Sequence, residues 1–126
     1  MKFAIEIEST YAIIAPEVEL MDKEAAEALC AKVKEGLEAN AGLSFIVDFG
    51  AVQQLLNESI YPLLCLQQTM EAADSALVIT NTQELVLQKI KQERLHLSIQ
   101  VANNLEEAVD LVKNNETMAP GLLNEM

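Results

Sequence analysis

Few residues in this chain are of types that do chemistry, and their spacing decides how much they could do together. Asp48 follows the apolar run Leu43-Ser44-Phe45-Ile46-Val47, at the point where a buried strand should end. Ligands of open α/β sheets bind at the carboxyl ends of strands, so a carboxylate there could accept a phosphoryl group or hold a metal. The acidic pair and the lysine that a phospho-accepting receiver needs are not evident at strand ends. The better account has Asp48 accepting hydrogen bonds from its own loop amides. His96, the single histidine, falls on the polar side of an alternating segment with no Ser or Cys nucleophile paired to it, and reads as a surface residue. Cys30 and Cys65 lie in apolar helical segments without a CxxC or Cys/His cluster, as buried reduced thiols do. One histidine does not make a zinc site. No GxGxxG or GxxxxGK[ST] phosphate loop occurs. The expectation is therefore no metal, no cofactor and no enzyme; the enzyme alternative is a small α/β catalyst using Asp48 or His96.

The elements that must position these residues follow from periodicity. Phe3, Ile5 and Ile7 alternate with Ala4, Glu6 and Glu8, the pattern of a strand with one wet face. Ser9-Thr10 turns the chain into a second strand, from Tyr11 to about Ala15. Asp22 opens a long helix with Ala25, Leu29, Val33 and Leu37 at i+4 spacing, closed by Asn40-Ala41-Gly42. Leu43–Val47 and Ala76–Ile79 are near-continuously apolar, as strands covered on both faces are. A helix from about Ile60 to Ala73 separates them. Another follows, opened by a capping box of Thr80 with Gln83 or Asn81 with Glu84. Leu95 to Val101 alternates as a half-exposed last strand, and Asn104 caps a final helix. The order is β-β-α-β-α-β-α-β-α, an α/β single domain with a mixed, mostly parallel sheet. Residues 1–113 make the domain and 114–126 a tail with Pro120-Gly121, which has little power to fold alone.

Composition bounds the partners. The 126 residues carry 8 Lys+Arg against 20 Asp+Glu, a net charge of −12, with 51% hydrophobic residues. That much apolar content builds a core and argues against disorder. The charge argues against nucleic acid and against an anionic membrane surface. No apolar run approaches the roughly 20 residues of a membrane span, and the N-terminus lacks a signal-peptide h-region, so the expected compartment is the cytoplasm. From Glu35 to Gln88 there is no Lys or Arg. Along the sequence, that middle stretch has no side-chain cation to hold an anion.

Within that stretch, Ile46-Val47-Asp48-Phe49-Gly50-Ala51-Val52 followed by Leu55-Leu56-Asn57-Glu58-Ser59-Ile60 resembles the central motif of the STAS family, the anti-sigma-factor-antagonist domains also found on sulfate transporters. That motif is an apolar strand, D-L-S-x-V, then D-S-S-G-L opening a helix. Tyr11-Ala12-Ile13-Ile14 leading to Leu20-Met21-Asp22, Ala76–Thr80, and Leu105-Glu106-Glu107-Ala108-Val109 resemble further family segments, so the resemblance spans about residues 3–113. It implies a STAS-like fold and a non-enzymatic protein-interaction module whose protein partner is an anti-sigma factor or serine-kinase-like protein. It also implies a phosphate acceptor at the first serine of D-S-S-G. Here that position is Asn57, or Glu58 if the register shifts by one, and neither forms a phosphate ester of serine. Glu58 supplies instead a fixed negative charge near a helix start. Asn57 and Ser59 are also simply good N-cap residues. Pro62 favours a late helix start near Ser59, because a third-position proline lacks only an N–H that has no helical partner. The resemblance places a binding face on Asp22, Asn57, Glu58, Ser59, Thr80 and Asn81, with Tyr61 as an exposed anchor or a packed side chain. A homo-oligomeric scaffold built on the cation-free stretch is the alternative.

Overall fold

The computed structural model describes residues 1–117, with side chains through Lys113. Strands β1 (Phe3–Ile7), β2 (Tyr11–Pro16), β4 (Ser44–Asp48), β6 (Leu77–Thr80) and β7 (Gln100–Val101) form one sheet in that spatial order. The β1–β2 pair is antiparallel, and β2, β4, β6 and β7 run parallel. The helices are α1 (Lys23–Ala39), α2 (Ile60–Ala72), α3 (Glu84–Gln92) and α4 (Leu105–Thr117). The mixed, mostly parallel α/β architecture agrees with the expectation from sequence.

Alternation along the central strands explains the layers. Phe45 and Val47 of β4 enter a core with Leu29 and Val33 of α1, Leu63 and Leu66 of α2, and Val86 and Ile90 of α3. Ile46 and Val78 point the other way, against Ala108 and Val112 of α4. One residue of shift would exchange the two faces, so the continuous apolar run fixes a strand buried on both sides.

Three details depart from the pattern. Two short strands, β3 (Leu20–Met21) and β5 (Gln54–Leu55), pair in parallel as a separate small sheet. Two-residue strands leave no periodicity to read. The expected strand from Leu95 to Val101 exists only at Gln100–Val101. Arg94 turns left-handed at φ 59°, and Leu95–Leu97 form a 3₁₀ turn. Leu95 and Ile99 are buried while Leu97 is 72% exposed, so the apolar spacing there is a turn's and not a strand's. His96 therefore sits on an exposed turn. Finally, α4 continues past Asn114, where the tail was expected to begin; the tail beyond Thr117 lies outside the described residues.

Candidate partner-binding site

The carboxyl ends of β4 and β6 lie side by side, and the chain runs from β4 through β5 to the start of α2. Asp48 ends β4 and accepts from Gly50 N–H (2.8 Å) through Oδ1 and from Asn81 Nδ2 (3.2 Å) through Oδ2. Gln83 Nε2 donates to Gly50 O (2.9 Å), and Phe49 N–H donates to Thr80 O (2.9 Å). The loops after β4 and β6 are thus laced together around one carboxylate. Both Asp48 oxygens hold donors of those loops, which is the role expected of a loop-organising aspartate rather than an acceptor or metal ligand.

Neither anticipated capping box forms. Gln83 is the residue before α3 and makes no side-chain cap bond. Thr80 is fully buried and donates from Oγ1 to Ala102 O (3.2 Å), while Asn81 takes a left-handed φ of 57° and turns to Asp48. Thr80 is therefore buried and not on the surface where it was expected: its hydroxyl ties β6 to the chain after β7.

The segment ahead of α2 is a 3₁₀ turn, Asn57–Ser59, and α2 begins at Ile60, so Pro62 occupies its third position as expected. Ser59 does not cap the helix with its side chain. Its hydroxyl donates backward to Leu56 O (2.7 Å), and the residue is completely buried. Ser59 is thereby also removed from the surface. Its neighbours stay exposed but anchored. Asn57 Oδ1 accepts from Lys89 Nζ of α3. Glu58 Oε2 accepts from Lys23 N–H (3.3 Å), the first amide of α1, whose N-cap Asp22 accepts from Ala25 N–H (2.8 Å). The fixed charge of Glu58 thus serves the start of α1, where two carboxylates now face one helix dipole. The start of α2, where sequence reasoning put that charge, receives no such bond from it.

Lys89 is the residue that sequence reasoning missed. The middle stretch is cation-free along the chain but not in space, because Lys89 reaches Asn57 while also lying 3.6 Å from Glu93. Its signal was present: Lys89 flanks the buried stripe of Val86 and Ile90 on α3. A groove of about 710 Å³ runs beside it, lined by Gln53, Gln54, Asn57, Leu85 and Gln92 among others.

Tyr61 stands 75% exposed one position into α2. Its hydrogen bond with the Cys65 thiol holds the phenol above its usual range. Cys30 of α1 donates Sγ–H to Pro62 O (3.3 Å), and burial pushes its thiol up to about 11 despite the lowering effect of Lys34. Both cysteines are free and half-buried.

No family model matches the chain, and no curated protein matches it. Solved structures do. A Thermotoga maritima protein described as an anti-sigma factor antagonist superposes with a TM-score of 0.77 at 15% identity, over 88% of this chain and 94% of that one. RsbS of Moorella thermoacetica, in a variant with a serine replaced by glutamate, gives 0.76 at 19% identity over 94% and 100%. The anti-sigma factor antagonist SpoIIAA in its unphosphorylated form gives 0.71 at 20% identity over 90% and 97%. The chain has the STAS fold. Of the residues expected on the binding face, Glu58 and Asp22 meet at the start of α1, Asn57 is held by Lys89, Asn81 is held by Asp48, Tyr61 is exposed on α2 beside Cys30 and Lys34, and Ser59 and Thr80 are buried. Among the described residues, no group of three or more His, Cys, Asp or Glu could hold a metal ion, and no helix is long and apolar enough to cross a membrane.

Proposed function

We propose that this STAS domain is a cytoplasmic regulatory module that binds a protein partner through the surface at the start of α2, without a serine phosphoswitch. The observation that carries this reading is the 57–59 segment. Its only hydroxyl, on Ser59, is enclosed and donated to Leu56 O, while Asn57 is held by Lys89 and Glu58 by the start of α1. A kinase needs an exposed hydroxyl at that helix start, and this segment presents an amide and a carboxylate instead. The anti-sigma factor antagonists of the same fold point to the class of partner, an anti-sigma factor or serine-kinase-like protein.

Exposed Tyr61 is the natural anchor, since rigid aromatic side chains supply large contact area at small entropic cost. Asn57, Glu58, Asp22 and Asn81 form the polar surround. The enzyme alternative draws no support from the site, because both oxygens of Asp48 are engaged within its loops and His96 stands on the exposed turn before β7. The test is titration calorimetry against anti-sigma kinase-like proteins from the same organism, with and without ATP. Binding should be indifferent to ATP and at least about tenfold weaker for Tyr61→Ala. Stoichiometric phosphate on Ser59, or affinity abolished by ATP, would overturn the reading.

A further inference from the structure

Strand β1 is the edge of the main sheet. Glu8 N–H donates to Tyr11 O (2.8 Å) and Glu17 N–H donates to Lys2 O (2.9 Å), so the even-numbered residues of β1 turn their backbone groups toward β2. Antiparallel geometry then directs the N–H and C=O of Phe3, Ile5 and Ile7 to the open edge. The same three residues carry apolar side chains, and Ile5 and Ile7 remain 45% and 63% exposed. They border an apolar hollow of about 220 Å³ against Ile14, Phe45 and Gly36. Soluble proteins ordinarily blunt such an edge with charge, proline or a bulge. Here Glu6 and Glu8 lie on the other face and leave the edge open.

We propose that a second copy of this chain occupies that edge, pairing β1 with β1 antiparallel about a two-fold axis at Ile5. Charge and apolar pairing together select the register. The outward backbone groups belong to odd residues, so only pairings of odd with odd residues make hydrogen bonds. Centring the pair on Glu6 or on Ile7 would set Glu6 against Glu6, or Glu6 against Glu8, and like charges directly opposite are unfavourable. Centring it on Ile5 sets Lys2 opposite Glu8 twice, by symmetry. It also sets Phe3 opposite Ile7 and Ile5 opposite Ile5, so all three outward residues are paired. Centring on Ala4 matches it in charge, since it sets Lys2 opposite Glu6 twice, but it carries Ile7 to Met1, outside β1, so the pairing of all three outward residues decides for Ile5. The resulting sheet is continuous across both copies, with Phe3 and Ile5 of one opposite the Ile7 and Ile5 that border the hollow of the other. This face is separate from the α2 surface, and the two proposals stand or fall independently.

The test combines mass and register. Light scattering and sedimentation on the full chain should show a monomer–dimer equilibrium. Lys2→Glu and Glu8→Lys should each weaken it about tenfold, because each replaces two attractive pairs by two repulsive ones. The Lys2→Glu/Glu8→Lys double variant should restore it to within about threefold, a recovery that a generally damaged fold would not give. In a Cys30→Ala/Cys65→Ala background, Ile5→Cys should oxidise to a disulfide-linked dimer. Residues paired at such a two-fold lie about 5.5 Å apart between Cα atoms, within disulfide reach. A strict monomer at about millimolar concentration would overturn the proposal. So would a dimer that keeps its strength in both single charge variants, or one in which Ile5→Cys fails to self-link.

Discussion

Replacing Ser59 tests whether the hydroxyl at the α2 start is structural or available to a kinase. In Ser59→Ala the bond from Oγ to Leu56 O is lost, but that carbonyl still accepts from Ser59 N–H at 3.0 Å. No acceptor is orphaned, so the cost is one net hydrogen bond, about 1 kcal/mol, and not the larger penalty of an unsatisfied buried group. Ser59→Asp differs in kind. Its carboxylate would have to enter a fully buried site whose nearest polar neighbour is the Leu56 carbonyl oxygen, an acceptor facing an acceptor. Burying an unpaired charge costs about 3–5 kcal/mol, and the α2 dipole returns about 1 kcal/mol of it. The net loss is about 2–4 kcal/mol. Urea unfolding followed by circular dichroism resolves the two cases, since with a slope of about 2 kcal/mol/M they differ by at least about 0.5 M in midpoint. Equal midpoints for the Ala and Asp variants would mean that the site opens to water, and the case for a structural Ser59 would fail.

Asp22→Ala should cost about 1 kcal/mol and Asp22→Asn only a few tenths, because asparagine keeps the oxygen that accepts from Ala25 N–H; thermal unfolding measures both. Cys30 is protonated up to about pH 11 in the folded chain, whereas an unfolded thiol titrates near 9, so the folded state holds the extra proton between those values. Stability attributable to Cys30 is thus full below pH 9 and lost as pH rises toward 11, and Cys30→Ser should flatten that part of the urea-stability profile. Alkylation of Cys30 by iodoacetamide near pH 8 should run about a hundredfold slower than in the unfolded chain, read by mass spectrometry. Cys65→Ala removes the hydrogen bond that raises the Tyr61 phenol, so the phenolate absorbance of Tyr61 should develop at lower pH than in the parent.

Most of the fold was legible because apolar periodicity is long where it matters. The i+4 ladder of Ala25, Leu29 and Val33 and the unbroken run at Phe45–Val47 each admit one element type. The Asp22 and Asn104 caps were legible for a related reason, as short acceptors directly before an apolar stripe. The failures share a cause. Leu95–Val101 alternates perfectly in sequence, yet a left-handed Arg94 turns it into a 3₁₀ corner, a backbone event that no side-chain pattern records. The 57–59 segment was placed correctly as a late helix start, and Pro62 carried that inference. Its partners were not visible. Lys89 and Lys23 come from elements distant in sequence, and Ser59's burial is decided by what packs over it.

The single carboxylate of Asp48 holds an amide from each of two loops, and Gln83 and Phe49 stitch the same loops again. The conformational entropy of those loops is surrendered when the chain folds, before any partner arrives. A protein that docks on these loops as proposed would meet a preorganised rim, and its association would not be taxed by loop ordering. Affinity at such a surface would rest on the few large exposed side chains, with Tyr61 foremost among them.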